Sequence, residues 1–523
     1  MRKEFNDISG GIVKDILPTD LPDNMWSDGQ NVRFIAQGLE RINGDTTALL
    51  TSPPIVPYYA QNFRVDSSNI WAWFGESSIY AATGSIQADV SRTGGYSTVV
   101  GDGWTGGVLK GVSIVTNGSD APQSWIPTTA LDTKYGDLLY DYSSSTSWAD
   151  AEVRAQVIRV HGDYAIALDT TEAGIRNYRR VWWSHPSGPL EEPKTWDYSK
   201  PAFDAGFTDL DETDARILDG AHLRDSFIIY KEDSVYSMTF VPDNRIFVFK
   251  RLFSSFGAIA RHCIVPFYNQ HIVLTHEDLL LHDGVQVKSV LNNRYVRWLA
   301  ANLDPDYASR SFLARNLAKK EIWAFIPSAG KTWPDFALLW SWENNSISIR
   351  ETGECAFAVA GSIDPSLTAI ESYDTQTGTF DTDTGPYDVQ AARQYKNRLC
   401  LFTLDNNMLV TDYGSTFYET GGMVAFVERS GLSLGDKGQN KFISAIYPRV
   451  DGAVGRTLTV KVGSQSSVGA PIKYTDYSYT IGDDKVDCRV TGRFITIRFE
   501  SVDVSYPWRL QGYDIEYNYR GTR

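Results

Sequence analysis

One pattern returns along this chain: a short apolar or alternating run, a polar turn, and a second such run. Two runs joined by a polar turn read as a pair of antiparallel strands. Asn69-Ile70-Trp71-Ala72-Trp73-Phe74 precedes Ile79-Tyr80-Ala81, and residues 226–230 precede residues 234–238. Residues 270–274 precede 279–282, residues 321–325 precede 336–342, and residues 398–402 precede 408–410. Residues 110–115, and residues 164–168 with Val181-Trp182-Trp183, add two further units. Recurrence every few tens of residues predicts a radial or stacked array of small sheets. About seven units fall within the four to eight blades of known propellers, so the expected fold is all-β, a propeller of about seven irregular blades.

Composition agrees with a sheet-rich fold. The chain carries 15 Trp, 28 Tyr and 24 Phe, residues that favour strands and bury large areas. Long amphipathic helical windows are scarce. The clearest is residues 292–303, where Tyr295, Trp298, Leu299 and Leu303 share one helical face.

The formal net charge of −15 disfavours tight nucleic-acid binding, which needs basic surface against phosphates. It is compatible with DNA as cargo, because a like-charged wall lets a polyanion slide without sticking. Cys263, Cys355, Cys400 and Cys488 lie far apart and form no CxxC pair, so they read as buried or free thiols. The N-terminus lacks the apolar stretch of a cleaved signal, and no segment approaches the length of a membrane span.

Three regions follow. Residues 1–50 read as an extended arm, broken by Gly10-Gly11, Pro18, Pro22 and Gly29. Residues 51–423 carry the hairpin pattern and form the propeller body, with Ser143-Ser144-Ser145-Thr146-Ser147 and residues 373–378 as the expected loop tips. Residues 424–523 have longer, cleaner strands and are expected to form a separate β-sandwich. In residues 494–500, Ile495, Ile497 and Phe499 alternate with Thr496, Arg498 and Glu500, the pattern of a half-buried strand.

Chemistry-bearing motifs are fragments. His271, His276 and His282 lie near one another, but strand and turn positions account for them without a metal. Asp209-Leu210-Asp211-Glu212-Thr213-Asp214 begins like a calcium loop and has Asp214 where that loop needs glycine. Residues 381–385 are a similar fragment. Ser328-Ala329-Gly330-Lys331-Thr332-Trp333 matches only the tail of the aspartate-box motif of propeller glycosidases. Trp71, Trp73, Trp182 and Trp183 sit in strand-like runs and read as core before sugar platforms. No catalytic, cofactor-binding or metal-ligating residue is therefore assigned, no cofactor is expected, and the chain is read as a non-enzyme.

In the middle of the chain, Ile217-Leu218-Asp219-Gly220 followed by residues 223–236 resembles a segment of tail proteins from short-tailed bacteriophages. Residues 249–253 through Gly257-Ala258, then Gln270-His271 and His282-Asp283-Gly284, are similar too. So are Gly10-Gly11, Leu21-Pro22, residues 31–34 and Glu40-Arg41 near the start, and residues 486–493 with residues 508–514 near the end. These motifs are structural, and their specificity lies in their order. The resemblance implies the tail nozzle, or tail tubular, family of podoviruses. It implies a homohexameric ring below the portal and head–tail adaptor, retaining packaged double-stranded DNA and conducting it during ejection. The implied partners are the adaptor, tail fibre or tail-tip proteins, and DNA passing without specific binding. The implied location is the virion, after synthesis in the bacterial cytoplasm. The rival expectation is a tail component whose propeller face binds or hydrolyses host-surface glycan.

Overall fold

The computed structural model describes residues 1–49, 51–65, 68–83, 86–99, 103–243, 245–363, 397–413, 423–502 and 506–521. The segments 373–378 and 381–385 singled out above lie outside them.

Among the described residues, seven four-stranded antiparallel sheets follow one another. Their first strands are Tyr59–Val65, Thr105–Leu109, Val153–His161, Ile217–Leu223, Ile264–Phe267, Phe312–Asn316 and Cys355–Ser362. Each of these touches its successors around a ring, and Cys355–Ser362 packs back on Tyr59–Val65. The chain is thus a closed seven-bladed β-propeller, with those strands lining the axis. We number the blades 1 to 7 in that order.

The second strands carry the core. Ser68–Phe74, Val112–Thr116, Glu321–Ile326 and Asn397–Thr403 are buried almost throughout, because neighbouring blades cover both faces. The first run of each of the seven hairpin units read from the sequence falls on a second strand, and the second runs, where one was read, fall on third strands. Trp71, Trp73 and Trp323 are fully buried on the second strands, as is Trp182 on the third strand of blade 3. Blade 7 is completed from the other end of the chain: Thr46–Thr47 pairs with Met408–Val410 as its outer strand. Closing a ring with strands from both termini locks the first blade to the last.

Residues 423–521 form two packed sheets, and the first 41 residues are built into both. Asp28–Gln30 pairs with Ala425–Leu432, Gly38–Arg41 pairs with Trp508–Arg520, and Arg2–Phe5 pairs with that same strand. The segment read as an extended arm therefore contributes strands to the sandwich and then to blade 7. Strand Phe494–Ser501 is central in its sheet and buried on both faces, not one. Arg498 lies over the Phe426 ring and pairs with Glu500, and Lys461 reaches Glu500 at 3.2 Å, so long side chains cover the polar face.

The sandwich and blades 5 and 6 share one apolar cluster, including Trp26, Leu338, Ile347, Phe499 and Tyr513. Between blades 5 and 6 stands helix Val296–Asn302, shorter than the 292–303 window. Asp15 of the N-terminal segment accepts the Arg297 and Trp298 amides at 2.6 and 3.0 Å and caps it. Beneath this, Arg33 makes a two-pronged pair with Glu321 of blade 6 and reaches Asp412, just past blade 7's third strand, at 2.9 Å. Asn316 also donates to Asp412, and Arg350 pairs with Asp45 where both are fully buried. Burial opposes the charge on Arg33, but the two carboxylates outweigh it and raise its pKa.

Candidate functional site

The seven inner strands enclose an axial channel that side chains divide in two. Tyr59, His262 and Phe357 meet with ring centroids 5.2–5.3 Å apart. Beside them Arg159 of blade 3 grips Asp219 of blade 4, Nε to Oδ1 at 2.8 Å and Nη2 to Oδ2 at 2.9 Å. Asp219 also accepts the His262 amide at 2.9 Å. The His262 ring lies between the Trp104 carbonyl, 2.9 Å from Nε2, and Arg159, 3.4 Å from Nδ1. Nε2 must then donate and Nδ1 accept, so the ring is neutral. Burial and the adjacent guanidinium push its pKa down to about 4. Burial opposes ionisation of Asp219, yet Arg159 and the amide hydrogen bonds hold its carboxyl below the usual range.

On one side of this floor opens a well of about 700 Å³, walled by Val160, Val265, Val359, Ala360 and the small residues Gly107 and Ala221. On the other side a cavity of about 80 Å³ leads to Tyr58, Arg310 and Trp333. There Tyr58 stacks on Trp333 at 5.3 Å, and the Arg310 guanidinium lies 4.3 Å above the Trp333 ring. Carboxylates near the channel are already engaged: Asp219 by Arg159, and Asp169, which lines the smaller cavity, by Arg176 at 2.5 Å.

The histidines noted in the sequence do not converge on a common point. His276 is exposed in a turn, whereas His271 and His282 are buried with their rings 5.6 Å apart, bridged by Tyr230. The hydrogen bonds fix every proton. His271 Nε2 faces the His222 carbonyl at 2.8 Å and must donate, leaving Nδ1 to accept the Tyr230 hydroxyl at 2.7 Å. That hydroxyl then accepts from His282 Nε2 at 2.6 Å, and His282 Nδ1 accepts the Gly284 amide at 3.2 Å. Both rings are neutral, and burial lowers each pKa to about 4. Among the described residues no cluster of three or more His, Cys, Asp and Glu has metal-binding geometry.

The calcium-like loop encloses a cation of the protein's own. Buried Lys231 donates to the Leu210 and Thr213 carbonyls at 3.0 and 2.6 Å, and burial lowers its pKa. Ser328 is tied to Asp335, and Trp333 stands at the smaller mouth described above. Trp182 and Trp183 donate to the Trp196 and Asp204 carbonyls from within the core. All four cysteines are buried and free, and burial raises the thiols, those of Cys355 and Cys488 to about 12. Arg159, Asp219 and His262, which build the floor, come from blade 3, blade 4 and the turn entering blade 5, and no sequence spacing marks them.

No family model and no curated protein sequence matches this chain. Solved structures that resemble it are propeller proteins at low identity. PorZ, a surface component of the type-IX secretion system of Porphyromonas gingivalis, is 8% identical with a TM-score of 0.37; the match covers 85% of this chain and 46% of PorZ. The CNH domain of AfRom2 is 9% identical over 60% of this chain and 94% of that domain, with a TM-score of 0.35. An exo-β-1,3-galactanase from Phanerochaete chrysosporium is 9% identical over 91% of this chain and all of the enzyme, with a TM-score of 0.27.

Proposed function

We propose that this protein is a non-enzymatic structural part of a virion: the tail nozzle of a short-tailed phage, assembled as a six-membered ring around the DNA path. The observation that carries the reading is the ordered set of nozzle-like motifs, running from Gly10-Gly11 to residues 508–514. In three dimensions these motifs are framework. Residues 31–34 and Glu40-Arg41 enter the sandwich, and residues 217–236 hold the inner half of blade 4. Within residues 508–514, Arg509 and Leu510 pair with Gly38–Arg41 while Tyr513 and Asp514 pair with the first strand of the chain. A rigid block knitted from both termini suits a load-bearing ring subunit. The stoppered propeller axis leaves the DNA to run through the ring lumen, between copies, and the net charge of −15 suits a non-adhesive wall. The adaptor above and fibre or tip proteins below are the partners this placement requires.

Immunogold electron microscopy of particles from the source lysate, with antibody to residues 423–521, tests the proposal. Label at the distal part of one short tail per capsid is expected. Label on lateral appendages favours a glycan-binding tail component, for which the Tyr58, Trp333 and Arg310 platform is the natural contact. Absence of label from particles overturns the virion assignment.

A further inference from the structure

The larger well has no part in the role just proposed, yet it has the character of a ligand site. Its volume of about 700 Å³ lies in the range of small-molecule pockets, and Val160, Ile264, Val265, Leu313 and Val359 share its walls with polar and charged side chains. The charged groups among them are not equivalent. Arg159 and Asp219 neutralise each other, and His262 is satisfied on both nitrogens. Asp219 is the one carboxylate among the residues lining the well. Arg315 differs. It projects from the inner strand of blade 6, half-buried, and among the described residues its guanidinium meets only the Pro266 carbonyl, at 3.3 Å. Among the described residues, the Arg315 guanidinium thus has no carboxylate partner in the well, and Val265 and Leu313 line the same well. A partly desolvated guanidinium with one weak hydrogen bond gains most from a carboxylate, which accepts charge-assisted bonds.

We infer that the well binds an apolar chain bearing a single carboxylate, the chain lying against Val160, Val265 and Val359 and the carboxylate meeting Arg315. A free aliphatic acid and the C-terminus of a peptide threaded into the bore share this chemistry. The site does not depend on the virion role and stands or falls separately from it.

Calorimetric titration of the full chain distinguishes the sources and tests the site. The probes are octanoate against octanamide, and acetyl-Leu-Val-Leu against its C-terminal amide. At least one acid binds about tenfold more tightly than its amide, the worth of one charge-assisted contact. Preference for octanoate identifies a free acid as the ligand, and preference for the peptide identifies a chain terminus. Arg315→Met removes the acid–amide difference and leaves amide binding unchanged. Ala360→Leu fills the bore and weakens both members of each pair at least tenfold, with the circular dichroism spectrum retained. The inference is overturned if neither acid binds at millimolar concentration, if acids and amides bind alike, or if Ala360→Leu leaves binding intact. The last two readings need no Arg315 variant, so they decide the matter even if that variant does not fold.

Discussion

The Tyr230 hydroxyl accepts from one buried histidine and donates to another, so each of the three side chains fixes the next. Tyr230→Phe leaves His271 Nδ1 without a donor and His282 Nε2 without an acceptor. A loss of about 1–3 kcal/mol in urea unfolding is expected, with little change in m. The same histidines set an acid limit. Their pKa of about 4 in the folded chain lies below the unfolded value of 6.5, so above pH 6.5 neither state binds the proton. Between pH 6.5 and about 4 the unfolded chain takes up protons that the folded chain refuses, and stability falls; below about 4 this contribution levels off. Each histidine contributes at most about 3 kcal/mol to that loss. Urea midpoints at pH 7.5 and 4.5 measure it, and a flat profile contradicts the burial of both rings in the neutral form.

At the scale of elements, the sequence is most legible where burial is most complete. Second strands such as Ser68–Phe74 and Glu321–Ile326 lie between neighbouring blades and must be apolar on both faces, so they stand out as continuous runs. Outer strands such as Gly136–Asp137, Val287–Ser289 and Thr46–Thr47 are short and polar and carry no period. The strands that Arg2–Phe5, Asp28–Gln30 and Thr46–Thr47 join lie hundreds of positions away, and only the folded chain reveals that they complete the sandwich and blade 7. For the same reason the channel floor was illegible: Arg159, Asp219 and His262 meet through ring closure, not through spacing. Arg33 is the test at this scale. Its replacement by Ala leaves Glu321 and Asp412 buried without their main cation, and a loss of about 3–5 kcal/mol is expected by chemical denaturation. A loss below about 1 kcal/mol would show that the clasp is not what holds the N-terminal segment between blades 6 and 7.

The N-terminal segment passes through the sandwich and then closes the propeller, and the sandwich shares an apolar cluster with blades 5 and 6. Calorimetry should therefore give a single cooperative transition, with van't Hoff and calorimetric enthalpies agreeing. Two separated transitions would show that sandwich and propeller are thermally independent. Rigidity of this kind suits the ring subunit proposed above, and under that proposal opening is left to loops and intersubunit contacts. The measurement that bears most directly on this is cryo-electron microscopy of the source particle, averaged with six-fold symmetry about the tail. Six copies of the seven-bladed propeller with its attached sandwich are predicted to fit the distal tail density as one ring, with the propeller axes outside the DNA lumen. A tail reconstruction with no such ring, or one with the propeller only on peripheral appendages, would contradict the account.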